Sequence, residues 1–85
     1  MAHPVRIYTA GYCSFCRHAK ELLRQRRIAF EEIDVTADAR TREWLVGATG
    51  RRSVPQIFIG EKPIGGYEEL RSLDRAGGLA GLVGD

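Results

Sequence analysis

The sequence predicts an α/β fold, a small mixed β-sheet with helices packed on both faces. Three observations carry that expectation. Apolar runs of strand character alternate with segments of helical periodicity through the first half of the chain. Two strand-like runs in the second half are separated by a tight turn, which makes an antiparallel hairpin. The chain has 85 residues, room for one hydrophobic core and therefore for a single domain, residues 1–85. A strand-helix-strand beginning requires a right-handed crossover and parallel pairing, and the hairpin then adds antiparallel strands to the same sheet.

Val5 to Tyr8, continued by Thr9, is a β-branched and aromatic run suited to a buried strand. Gly11 and Tyr12 turn the chain. From Ser14 to Arg27, Cys16, Ala19, Leu22 and Leu23 recur at helical spacing, while Arg17, Lys20, Glu21, Arg24 and Arg27 occupy the other side. Ala29 to Val35 returns to a strand, with Phe30, Ile33 and Val35 alternating against Glu31, Glu32 and Asp34. Thr36 and Asp38 offer N-cap oxygens to a helix over Ala39 to Ala48, whose end Gly47 and Gly50 mark and whose packed side holds Trp44, Leu45 and Ala48. Val54 to Ile59 is a strand with Pro55 at its start, because proline cannot donate to the middle of a ladder. Gly60 to Lys62 turn into a brief strand at Pro63 and Ile64, closed by Gly65 and Gly66. A last helix from Tyr67 to Ala76 buries Leu70 and Leu73 and stops at Gly77 and Gly78, after which Leu79, Leu82 and Val83 add an apolar patch.

A hydrophobic share of 44% and a charged share of 28% are ordinary for a soluble globular chain. The formal charge is +2, and the cations are spread over several segments without aromatic interleaving. That pattern argues against a nucleic-acid surface and favours a small anionic partner. Met1 to Pro4 lack a charged leader followed by an apolar stretch, and no run approaches a membrane span, so neither membrane nor nucleic acid is expected as a partner and a cytoplasmic location is.

The chemistry concentrates in Cys13-Ser14-Phe15-Cys16, which contains the only two cysteines. Two intervening residues at a strand-to-helix junction bring the side chains close enough for a disulfide. A thiol at the first helical turn also faces unpaired N–H groups and the positive end of the helix dipole, which favour thiolate. Structural zinc would need four ligands, and only His3 and His18 are available to add, with His18 off the cysteine face. Covalent haem attachment requires histidine immediately after the second cysteine, where Arg17 stands. Two inert core cysteines suit a strand-to-helix turn poorly. A CxxC beside a βαβ pattern reads as a redox dithiol.

Over nearly its whole length, Val5 to about Val83, the chain resembles a glutaredoxin of the short bacterial dithiol type. Three motifs carry the resemblance: Cys13-Ser14-Phe15-Cys16; Ser53-Val54-Pro55, similar to the family's Thr-Val-Pro; and Ile64-Gly65-Gly66-Tyr67-Glu68-Glu69-Leu70, similar to its Gly-Gly turn with an acidic residue. The resemblance implies a thioredoxin-like fold, a four-stranded mixed sheet flanked by three or more helices. It implies a glutathione-dependent thiol-disulfide oxidoreductase that reduces protein disulfides and glutathionylated proteins. Cys13 would be the nucleophile, attacking the protein sulfur of a mixed disulfide with glutathione or one sulfur of a protein disulfide, and Cys16 the resolving thiol. Pro55 would be a cis-proline that turns the Val54 backbone groups outward to pair with glutathione as an added strand. Gly66, Tyr67 and Glu68 would receive the γ-glutamyl end, through backbone N–H groups for its carboxylate and the Glu68 side chain for its ammonium. Phe15 replaces the family's tyrosine as an aromatic wall, and Tyr12 flanks the groove.

Two departures matter. Many relatives place lysine where Ala10 stands, so Arg42, on the second helix at a position where relatives carry Arg or Gln, is the candidate partner of the glycyl carboxylate, with Arg51 and Arg52 behind it. Glu69 reads as a solvated first-turn carboxylate and Trp44 as core. Ser14 stands where proline is commoner, and some relatives with serine there bind a [2Fe-2S] cluster between two protomers. That alternative would use Cys13 and bound glutathione, and otherwise no metal ligand is expected. Reduction by thioredoxin reductase is the other alternative. A monomer is expected.

Overall fold

A computed structural model describes residues 4–79. Its elements run β1 (Val5–Thr9), α1 (Ser14–Gln25), β2 (Glu31–Asp34), α2 (Ala39–Thr49), β3 (Gln56–Ile59), β4 (Lys62–Gly65) and α3 (Tyr67–Arg75). The four strands form one sheet in the order β2-β1-β3-β4. β1 pairs parallel with β2, setting Tyr8 opposite Ile33, and antiparallel with β3, setting Ile7 opposite Ile57. β3 and β4 form the expected antiparallel hairpin, with a register shift between Ile57 and Phe58.

Strand alternation divides the core into two layers. Val5, Ile7 and Ile57 face α1 and α3, where they pack with Ala19, Leu23, Leu70, Ile28 and Leu79. On the opposite side Tyr8 and Phe58 meet Val35 and Leu45, the latter from α2. Ile7, Leu23, Ile57 and Leu70 are all 0% exposed, and burying each contributes about 1.5–3 kcal/mol relative to leaving it in water.

The structure adjusts several boundaries. α1 stops at Gln25, short of Arg27, because Arg27 takes a left-handed φ of 58° that no right-handed helix continues. β2 is shorter than the Ala29 to Val35 run. β3 begins at Gln56, after Pro55, which has no N–H to donate to the ladder and follows a cis bond from Val54. Gly47 lies inside α2, whose end is made by Gly50 alone at φ 76°. Asp38 caps that helix, accepting the Thr41 N–H at 3.0 Å. Thr36 Oγ1 instead accepts the Gly11 N–H at 2.9 Å. Trp44 corrects the expectation of a core residue: it is 48% exposed. Leu45 takes the position facing the sheet, so its neighbour stacks on Phe58 and lies tilted against Tyr8, with ring centroids 5.7 and 5.8 Å away. Leu82 and Val83 lie outside the described residues, as does His3.

Candidate active site at the amino end of α1

β1 ends at Thr9, and the chain turns through Ala10 to Tyr12 before α1 begins. The turn is pinned twice, by the Cys13 N–H donating to the Ala10 carbonyl at 3.2 Å and by the Gly11 bond to Thr36. Cys13 is then the N-cap of α1, in extended conformation, and its sulfur accepts the Cys16 N–H at 3.1 Å. Sulfur thus occupies the place where Ser, Thr, Asp or Asn oxygen normally satisfies a first-turn donor. An N–H aimed at that atom stabilises negative charge on it. The Cys13 thiol, partly exposed, also donates to the Val54 carbonyl at 3.5 Å.

Cys16 sits one turn deeper and is 1% exposed. Its thiol is pushed up to about 12, first by burial and then by the hydrogen bond to Cys13, against smaller downward pulls from the Ala10 backbone and Lys20. The pair is therefore asymmetric, one sulfur reachable from solvent and the other held as a neutral thiol beneath it.

The remaining candidates arrange themselves around this edge unequally. Val54 is brought to Cys13 by the hydrogen bond above. Pro55 is buried, and its carbonyl backs onto Gly66, where an added Cβ would lie only 3.2 Å from it. Gly66 is the N-cap of α3, and the first intrahelical bond runs from the Leu70 N–H to its carbonyl at 3.0 Å. The N–H groups of Tyr67 and Glu68 precede that bond, in the first-turn positions that have no partner within a helix. Phe15, 55% exposed, stacks on Tyr67 with ring centroids 6.0 Å apart, which joins the rims of α1 and α3. The Glu68 carboxylate stands open to solvent and meets Arg71 at 3.9 Å, one turn along α3.

Arg42 reaches the same edge from α2. Its Nε donates to the Val35 carbonyl at 2.9 Å and its Nη2 to the Tyr12 hydroxyl at 2.6 Å, which sets the guanidinium beside the residue that precedes Cys13. Arg51 is already engaged, 3.4 Å from Glu69. Glu69 corrects the reading of a merely solvated carboxylate: its Oε1 accepts the Gly66 N–H at 2.8 Å. That bond, with the Arg51 contact behind it, holds the Glu69 carboxyl below the usual carboxylate range.

Sequence reasoning weighed His18 only as a zinc ligand and missed its place at this edge. Its ring lies 6.2 Å from Phe15 and 5.7 Å from Tyr67, completing a three-ring rim. The three-residue spacing from Phe15 on one helix was the available signal.

A partly exposed thiol capping a helix, a second thiol buried one turn below, and a cis-proline loop packed beside them define a dithiol protein of thioredoxin-like architecture. A family model described as Glutaredoxin matches residues 5–64. Glutaredoxin 3 of Escherichia coli is 42% identical over 79 residues, covering 93% of this chain and 95% of the relative. The glutaredoxin of Pseudomonas aeruginosa is 41% identical over 80 residues, covering 94% and 95%. Among solved structures, buckwheat glutaredoxin in complex with glutathione superposes with a TM-score of 0.88 at 28% identity, covering 95% of this chain and 76% of that one. The glutaredoxin of Brucella melitensis gives 0.85 at 38% identity, covering 96% and 89%. The chain belongs to the glutaredoxin family, and so to the thiol-disulfide oxidoreductases.

Proposed function

We propose that this protein uses glutathione as electron donor to reduce glutathionylated proteins and protein disulfides, working as a cytoplasmic monomer. The observation that carries the reading is the asymmetry of the dithiol: Cys13 Sγ is partly exposed at the amino end of α1, whereas Cys16 is buried. The glutathione found in complex with the buckwheat relative supports the choice of donor. No helix among the described residues is long and apolar enough to cross a membrane.

Mechanistically, the Cys13 thiolate attacks the glutathione sulfur of a mixed disulfide rather than the protein sulfur expected from the sequence, because only that attack releases the target and leaves glutathione on Cys13. A Cys13–glutathione disulfide forms and the target protein leaves as a thiolate, which takes up a proton. A second glutathione thiolate then attacks that disulfide, releasing oxidised glutathione and restoring Cys13. With a protein disulfide, Cys13 forms a mixed disulfide with one target sulfur, and Cys16 displaces the target by closing the Cys13–Cys16 bond. Two glutathione molecules reopen it. In both routes Val54, Gly66, Tyr67 and Glu68 hold the tripeptide through backbone groups and the Glu68 carboxylate. Phe15 and Pro55 wall it, and Arg42 takes the glycyl carboxylate.

Turnover of a glutathionylated substrate with glutathione and its reductase, by wild type, Cys13→Ser and Cys16→Ser, tests the proposal. Cys13→Ser should be inactive, and Cys16→Ser should retain this activity while losing reduction of protein disulfides. Equal loss in both variants, or turnover supported by thioredoxin reductase and not by glutathione, would overturn it.

A further inference from the structure

Lys20 follows Cys16 by four residues on α1, so the two side chains lie one above the other on the same helix face. Its Nζ is 2.9 Å from Glu32 Oε2. The same carboxylate oxygen accepts the Thr9 hydroxyl at 2.8 Å. Thr9 is 1% exposed and directly precedes Ala10, whose carbonyl takes the Cys13 N–H. Three elements, β1, β2 and α1, thus fix one ammonium over the face of α1 that carries the inner cysteine. The Lys20 and Glu32 side chains are 20% and 35% exposed, so their charges are less screened by water than those of fully open residues. Glutathione chemistry at Cys13 has no use for this cluster, and nothing in the core requires a lysine there.

We propose that Lys20 is a positioning residue for the two-cysteine route: its ammonium stabilises the thiolate that Cys16 Sγ becomes on losing its proton, the form that displaces a target from Cys13, while Glu32 and Thr9 hold it in place and Glu32 moderates its field. In that step Cys16 gives its proton to solvent base and its sulfur attacks Cys13 Sγ. The Cys13–Cys16 bond forms, the Cys13–target bond breaks, and the target departs as a thiolate, so the two electrons that reduce the target come from the two cysteines. Lys20 pulls on the buried thiol against the effect of burial, in the direction this role requires.

The inference rests on the dithiol reading and is tested on a step that needs no glutathione. Mixed with less than one equivalent of dithionitrobenzoate, the reduced protein should release one thionitrobenzoate when Cys13 reacts. A second follows, at a rate independent of reagent concentration, when Cys16 displaces it, and Cys16→Ser should lack that second phase. Lys20→Gln should slow the second phase roughly two- to fivefold, the scale of one partly screened charge. Lys20→Arg should restore it. Glu32→Gln, which keeps an acceptor oxygen for Lys20 and Thr9 but removes the opposing charge, should accelerate it. Opposite signs for Lys20→Gln and Glu32→Gln are the signature, since loss of a purely structural bridge would move both the same way. Slowing in both variants, no change in Lys20→Gln, or an equal change in the first phase overturns the proposal. Failure of glutathione-dependent turnover with these phases intact would count against the proposed donor alone.

Discussion

Replacing Gly65 with alanine tests how the Gly65-Gly66 turn and the start of α3 depend on one another. Gly65 has φ 111°, a backbone conformation that costs an L-residue about 1–2 kcal/mol. An added Cβ would also sit 2.8 Å from both Cγ and Oε1 of Glu69, the side chain that caps the Gly66 N–H. Glu69 is flexible enough to move aside, but moving forfeits the cap, worth about 0.5–2 kcal/mol. The sum is about 1.5–4 kcal/mol, or a fall in Tm of very roughly 6 to 30 °C for a domain of this size. Urea or thermal unfolding of wild type, Gly65→Ala, Glu69→Ala and the double variant supplies the assay. With Glu69 truncated the clash vanishes and only the backbone cost remains, so Gly65→Ala should be milder in that background by about the value of the cap. Costs additive within about 0.5 kcal/mol would refute the reasoning, because the two residues would then be uncoupled.

Arg42→Ala should weaken glutathione use by about 1–3 kcal/mol, read as a rise in KM for glutathione with the two-phase dithionitrobenzoate reaction intact; an unchanged KM reassigns the glycyl carboxylate to Arg51 or Arg52. Trp44→Ala should cost about 1–2 kcal/mol in urea unfolding, the value of two exposed aromatic contacts, and a loss of 3–5 kcal/mol would mean the ring is as buried as a core residue. Stability should fall on the acid side. Glu69 is lowered by the Gly66 N–H, Glu32 by Lys20, Asp34 by Thr36, Asp38 by Thr41 and Asp74 by Arg26, from ordinary values of 4.5 for Glu and 3.8 for Asp. Carboxyls with depressed values bind fewer protons folded than unfolded, so their contribution is complete above the unfolded values and is lost as pH drops through the folded ones. Urea midpoints should hold from neutral pH to about pH 5 and then decline, and a flat profile to about pH 3 would contradict this. On the alkaline side Cys16 acts with the other sign: its thiol is raised from 9.0 to about 12, so its contribution is whole below the lower value and disappears between the two. Cys16→Ser should flatten that limb.

The order of elements was legible because strand and helix periods differ so plainly here: Val5 to Thr9 beside the Cys16, Ala19, Leu23 repeat leaves little choice. What escaped depended on contacts between elements. Trp44 and Leu45 are equally apolar in sequence, and only the placement of α2 across Tyr8 and Phe58 decides which faces inward. Glu69 looked like any first-turn acid, because its role needs Gly66 folded back within its reach. At the site, Cys13 and Cys16 announced themselves by spacing, and Val54, Pro55 and Gly66 by resemblance. The Arg42 contact with Tyr12 joins residues thirty positions apart, and no periodicity encodes such a pairing.

Both borders of the sheet are inhospitable to a foreign strand. β2 offers Glu31, Glu32 and Asp34 within its four residues, and β4 begins Lys62-Pro63, with a proline that cannot donate. Under the proposed function, protein disulfide substrates would bring extended segments past these borders. Carboxylates along one margin and an imino acid on the other work against such segments zipping onto the sheet, which would leave the short ledge proposed at Val54 as the place of engagement.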